Sequence, residues 1–423
     1  MLTDLLRALL GIACLIGLCT LLSENRKAIN WRLVGGGMTL QLLLALLFLV
    51  VPGGSQAFDA LARFFVWITG FSRDGAMFVF GPLADPAAER GLGFIFAFQV
   101  LPTIIFFSAL CSLLYYWSVL QKIVWAFAWV TRKFMKLSGA ESLAAAASIF
   151  LGQTESPLMV KPYIEKMTRS EIFALMTSGM GTIAGGVLVA YIMILGGTDP
   201  VQQQAFAKFL LCASFMAAPA SLVVAKILIP ETGTPENSLQ VSREKLGANF
   251  LDALANGTSD GLKLALNIGA MLIAFIAFAA LVNAGLSMMH PTLTLDWLLG
   301  WLFSPFAWLI GVPAGDVREI GSLLGSKVVF NEFVAYTQLG DLKAAGLADP
   351  AQALDPKSIF LATFALCGFA NFSSIGIQLG GTGSLAPNQR PTLAALGFKA
   401  VLGGTVTTLI TATLAGALYA WVA

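Results

Sequence analysis

Charge is scarce in this chain: Asp, Glu, Lys and Arg make up 11% of its 423 residues, against about 25% in soluble domains. Such a composition excludes an ordinary soluble domain. Net charge is +2, and the basic residues are scattered through short loops, so the stripe that nucleic acid requires is absent. Five cysteines (Cys14, Cys19, Cys111, Cys212, Cys367) lie in apolar segments without ligand spacing, which argues against a disulfide framework or a zinc site. The single histidine, His290, precedes Pro291 in a loop and reads as structural. No HExxH and no nucleophile with a partnered base is found, so an intramembrane hydrolase has no motif to rest on. Asp316 could pair with Glu155 as an acid dyad only if the fold brought its PAGD turn to that residue.

What the chain does contain is apolar length: 57% of its residues are hydrophobic. Crossing the hydrocarbon core takes roughly 20 mostly apolar residues. Eight segments qualify, at 5–22, 34–51, 92–117, 171–195, 206–229, 261–285, 359–380 and 391–422. The first has no small-residue cleavage site after it and runs into SENRKAINWRL, as a retained span would. Arg26, Lys27 and Arg32 in that loop place it in the cytoplasm and the N-terminus outside. Two shorter stretches, 57–71 and 119–136, mix aromatics with basic residues and read as helices lying at the interface.

From residue 138 the pattern changes. Two apolar stretches are interrupted by polar, Gly- or Pro-containing sequence, GQTESP within 141–166 and GVPAGD within 303–336. Each half is too short to span, so each reads as a re-entrant hairpin; irregular backbone at membrane depth must be enclosed by protein or line a cavity. Each hairpin precedes a span broken near its middle (MTSGMGTIAGGVLVAY, ALCGFANFSSIGIQLGG) and then a plain one. One span separates the two sets, which inverts the second, and interrupted segments in corresponding positions point to a transport site at the midplane. The expected architecture is an all-α polytopic membrane protein of about eight transmembrane helices plus two re-entrant hairpins in an inverted repeat, with interfacial helices. Its regions are 1–137, N-terminal spans and scaffold; 138–230, the first repeat; 231–302, a loop, a scaffold span and an interfacial helix; and 303–423, the second repeat.

Glu155 and Glu332 are carboxylates in apolar surroundings, SIFLGQTESPLMV and KVVFNEFVAY. An ionised group there needs a partner, a cation or a polar ligand, and intramembrane ionisable residues mark functional sites. The bland alternative is a hairpin-end pair with Lys161 or Lys327. Gln153, Thr154, Asn371 and Ser374 add groups that both donate and accept, a set suited to a neutral ligand with several hydroxyls. Among these segments arginine occurs only as Arg318, so an anion is poorly served. Phe369 offers an aromatic face. Glycines 179, 181, 185 and 186 permit close packing or an unwound segment whose carbonyls bind a cation.

Through GQTESPLMVKPYI, MTSGMGTIAGGVLVAY, FNEFVAY and GFANFSSIGIQLGG, in that order, the chain resembles the concentrative nucleoside transporter family over roughly residues 30–422. The resemblance implies a homotrimer in the inner membrane, with no nucleic-acid partner and no enzyme activity, whose mobile transport domain carries nucleoside and cation together in an elevator movement. It implies that Gln153, Thr154, Glu155 and Val187 bind the nucleobase side, that Glu332, Asn371 and Ser374 hold the ribose hydroxyls, and that Phe369 lines the pocket. Its sodium site would comprise Ser148, the Thr182 hydroxyl and the carbonyls of Leu151 and Ile183. Sodium-coupled relatives tend to carry asparagine where this chain has Ser148, which leaves Na+ and H+ both open as the coupling ion; a buried glutamate would carry the proton. No other cofactor is implied.

Overall fold

Backbone polar groups within a bilayer must be satisfied inside the chain, which for an open chain means helices. The computed structural model describes residues 2–85, 95–235 and 247–422, and no strand occurs among them. Helices α1 (Leu2–Leu21) and α2 (Trp31–Ala45) are joined by a short loop, and α2 widens at its end over Leu46–Val50. Next come α3 (Pro52–Phe80), α4 (Leu101–Tyr116) and α5 (Val119–Met135). The 57–71 stretch is thus part of one 29-residue helix, because its polar flanks, GGSQ and SRDG, continue the helix without a proline to stop it. Residues 92–94 of the third expected span lie outside the described residues.

The first hairpin opens with α6 (Gly139–Ala147) and returns through two short helical turns to Ile164. The first broken span follows as α7 (Arg169–Gly181) and α8 (Gly185–Gly196), then α9 (Pro200–Leu228). Next, α10 (Phe250–Met289) runs for 40 residues, well beyond the expected 261–285, since its polar start LDALANGTSD is helical too. It lies along α4 so closely that a Cβ on Gly261 would stand 2.8 Å from the Cα of Ile105, and Ser112 donates to the Ala253 carbonyl at 2.7 Å.

The second half corrects one expectation. Helix α11 (Leu295–Leu309) packs antiparallel on α12 (Val317–Val329) across GVPAGD, where Gly311 has φ +106°. Ala314 and Gly315 in that turn are exposed, whereas the buried tip is Phe330–Asn331, between α12 and α13 (Glu332–Ala348). The hairpin with a buried tip is therefore α12–α13, not the one across GVPAGD, and the 302/303 boundary cuts through α11. An apolar–polar–apolar pattern is the same for a surface turn and for a buried tip. The chain ends with α14 (Pro356–Leu366), α15 (Phe372–Leu385) and α16 (Arg390–Ala417). The span expected at 359–380 is thus two half-helices, and seven helical segments among the described residues are long and apolar enough to cross a membrane.

The two breaks, 182–184 and 367–371, meet at the centre. Phe369 N donates to the Thr182 carbonyl at 3.3 Å, and a Cβ on Gly368 would lie 3.1 Å from the Gly181 carbonyl carbon. The missing Cβ at Gly368 makes room for this approach.

Candidate functional site

Each site residue is placed by local chemistry. Asn331 N-caps α13, accepting from Val334 N at 3.0 Å, which puts Glu332 in the first turn, where the helix dipole favours a negative group. Asn371 caps α15 in the same way, its Oδ1 accepting from Ser374 N at 2.9 Å and from the Ser373 hydroxyl at 2.7 Å. That leaves Asn371 Nδ2 free to donate to Glu332 Oε2 at 2.8 Å. Tyr191, from α8, donates to the other oxygen, Oε1, at 3.0 Å. Its ring stacks on Tyr336 at 4.3 Å, and Tyr336 is itself anchored on the Thr363 carbonyl.

The first hairpin joins this set through Gln153, whose Nε2 donates to Ser374 Oγ at 2.9 Å. Gln378 Nε2 donates to Gln153 Oε1 and to the Met176 carbonyl, both at 3.1 Å. One chain of hydrogen bonds therefore links both hairpins and both broken spans: Gln153, Ser374, Asn371, Glu332, Tyr191. Val187 is buried one helical turn before Tyr191, and Phe369 stands within the second break. Thr154 is exposed beside Gly381, where a Cβ would come within 2.9 Å of its methyl group. Glu155 is half-buried and accepts from Gly152 N at 3.3 Å.

Lys327 does not pair with Glu332; its Nζ donates to the Ala365 carbonyl and to Thr408 Oγ1, each at 2.9 Å. Asp316 stands at the α12 start, at the far end of that helix from Glu332, and accepts from Asp355 N. A cleft of about 900 Å³ between α11, α12 and α13, lined by Trp297, Arg318 and Asp341, includes none of the expected site residues.

The four expected cation ligands lie where hairpin and broken span meet. Ser148 Oγ donates to the Ala144 carbonyl at 2.9 Å and stands 3.1 Å from Ser156 Oγ. Thr182 Oγ1 donates to the Ser178 carbonyl at 2.8 Å, keeping its lone pairs. Among the described residues, the carbonyls of Leu151 and Ile183 accept no backbone hydrogen bond. These two carbonyls and two hydroxyls are oxygen groups, the donor type that a hard cation takes.

Tyr191 and Gln378 escaped sequence reading. Both carried a signal, since Tyr191 falls four residues after Val187 and Gln378 four after Ser374, on the same helical faces. A second group was also missed. Lys226 Nζ reaches Glu141 Oε2 at 2.6 Å, Ser170 Oγ at 2.9 Å and Glu231 Oε2 at 3.3 Å, tying hairpin, broken span and α9 together at one end. Burial alone would raise the Glu231 carboxyl, but Lys226, with donors from Gly233 and Thr168, holds it below its ordinary value.

The family description "Na+ dependent nucleoside transporter" matches this chain at residues 10–83 (N-terminus) and 209–416 (C-terminus), and a "Nucleoside recognition" gate matches 97–198. An uncharacterized transporter of Haemophilus influenzae is 45% identical over 98% of this chain and 97% of its own length. Nucleoside permease NupC of Helicobacter pylori is 39% identical over 97% and 96%. The structure of CNTnw in an inward-facing substrate-bound state superposes with a TM-score of 0.92 at 40% identity, covering 99% of each chain. An outward-facing variant of CNTnw also gives 0.92, at 40% identity and 99% of each chain.

Proposed function

Because the chain belongs to the Na+-dependent nucleoside transporter family and is a multi-pass membrane transporter with no enzymatic role, we propose that it imports nucleosides such as uridine by cation symport across the cytoplasmic membrane. The observation that carries this reading is the chain of hydrogen bonds from Gln153 to Glu332, which presents amides, hydroxyls and a carboxylate but no cationic group to a ligand. Glu332, Asn371 and Ser374 hold the ribose hydroxyls; Gln153, Thr154 and Glu155 read the base edge; Val187 and Phe369 cover the ring. Apolar walls with a few placed polar groups are the usual make-up of such sites.

Sodium is the coupling ion in this reading, taken by Ser148, Thr182 and the carbonyls of Leu151 and Ile183. The uncommitted carbonyls support it. Proton coupling through Glu155 or Glu332 is the second reading, favoured by the Ser148 hydroxyl being already engaged with Ala144. Movement is elevator-like: the hairpins and broken spans travel past α4 and α10. The outward apolar face of α10, with Leu266, Ile273 and Leu281 more than 60% exposed, suits packing against further copies in a homotrimer or against lipid.

Uridine uptake into proteoliposomes under an imposed Na+ gradient, and separately under a pH gradient, tests the proposal. Accumulation driven by sodium alone supports the metal site, and accumulation driven by protons alone moves coupling to a glutamate. No accumulation under either gradient overturns symport.

A further inference from the structure

Lys327 lies in the last turn of α12 and is 1% exposed, yet it forms no ion pair within 4.0 Å among the described residues. A cation taken out of water without a counter-charge is costly unless its surroundings supply negative dipoles. Ala365 supplies one. Helix α14 stops at Leu366, so its last carbonyls lack intrahelical donors and carry the negative end of the helix dipole. Phe369 N, which would continue the ladder to Ala365, turns instead to the Thr182 carbonyl across the two breaks. The orphaned Ala365 carbonyl takes Lys327 Nζ at 2.9 Å. Thr408 of α16, the second acceptor, is pressed against the same break, where a Cβ on Gly368 would lie 2.8 Å from its methyl group.

This placement mirrors the first repeat. Lys327 Nζ sits at the C-terminal end of α14, the first half of the second broken span, as Thr182 and Ile183 sit at the C-terminal end of α7, the first half of the first broken span. Half-helix C-terminal ends are where transporters bind coupling cations. We infer that the Lys327 ammonium is a resident cation, filling in the second repeat the place that the first repeat leaves open to a mobile ion, so that each transport cycle uses one coupling cation. The inference rests on the symport reading for that count, but the role of the charge at Lys327 can be measured without transport.

The test uses the full chain with Lys327→Ala and Lys327→Met, assayed for uridine uptake in proteoliposomes and for melting temperature in detergent. Removing the charge should lower uptake about tenfold or more, as loss of a buried charge-assisted bond does. Propylammonium should restore both uptake and melting temperature in Lys327→Ala, while 1-propanol of nearly the same shape should restore neither. Wild-type uptake and melting temperature in Lys327→Met, or equal rescue by amine and alcohol, would overturn it. If neither variant folds, purification with propylammonium present decides the matter: recovery of a monodisperse protein with the amine alone supports a resident cation, and recovery with both or neither refutes it. A reversal-potential measurement on the wild type should give one charge per uridine, and two would refute the single mobile ion. Absence of wild-type transport would sink symport while leaving the melting comparison intact.

Discussion

Tyr191 and Asn371 donate to opposite oxygens of the Glu332 carboxylate, at 3.0 and 2.8 Å. The Asn371 NH2 can only donate and so needs an acceptor, while the Tyr191 hydroxyl donates to the ionised carboxylate in a charge-assisted bond. Glu332→Gln keeps an acceptor for Asn371 but removes the negative charge from both bonds, and binding of uridine in detergent should weaken about tenfold or more, as for loss of charge-assisted bonds. Calorimetric titration measures it. Tyr191→Phe should cost less, and the double variant less than the sum, because the two residues share one interaction.

Gln378 touches Gln153 and the Met176 carbonyl, so it orients Gln153 without belonging to the set expected to meet the ligand. Gln378→Leu frees the Gln153 amide to rotate. The half-saturating uridine concentration should rise severalfold, about the worth of one neutral hydrogen bond, with the maximal rate little changed. A fall confined to the maximal rate would contradict this role.

Gly185 begins α8 under the ring of Phe107 from α4; a Cβ there would stand 2.6 Å from Cε1 and 3.0 Å from Cζ of that ring. If α8 moves past α4, Gly185→Ala should slow initial uptake while leaving equilibrium uridine binding near wild type. Phe107→Leu in the same chain should recover the rate. Recovery would separate a steric block from misfolding.

Ser148→Ala removes one of the four oxygens of the proposed sodium site. Half-saturation by Na+ should then need several times more ion, about 1 kcal/mol for one lost ligand contact. Uptake driven only by a pH gradient, measured in parallel vesicles, should be unaffected.

Glu24 joins the α1–α2 loop to Arg169 at 3.1 Å and to Lys399 at 2.9 Å. The Arg169 hydrogen bond, opposed by partial burial and aided by Lys399, holds its carboxyl below the ordinary 4.5. A depressed carboxyl stabilises fully above the unfolded value and loses that contribution as pH falls through the folded one. The melting temperature should thus drop below about pH 4.5, and Glu24→Gln should remove this part of the drop. Being exposed, the cluster is worth under about 1 kcal/mol, so the shift will be small.

What the sequence determined by itself was the medium and the chemistry. With 11% charge, Glu155 and Glu332 stood out because a carboxylate among apolar neighbours is costly, and the Gly- and hydroxyl-rich breaks around Thr182 and Asn371 were legible because helix formers are missing there. Tertiary structure alone decided the second tip. GVPAGD and FNEF both interrupt apolar sequence, and only burial distinguishes the exposed Gly315 from the buried Asn331. It likewise decided where Lys327 goes: it precedes Glu332 by five positions, yet its ammonium bonds to Ala365 and Thr408. Partners such as Gln153 and Ser374, 221 positions apart, are set by how the first hairpin tip packs against the second broken span. A local pattern records which groups need partners, while the packing of distant segments chooses them.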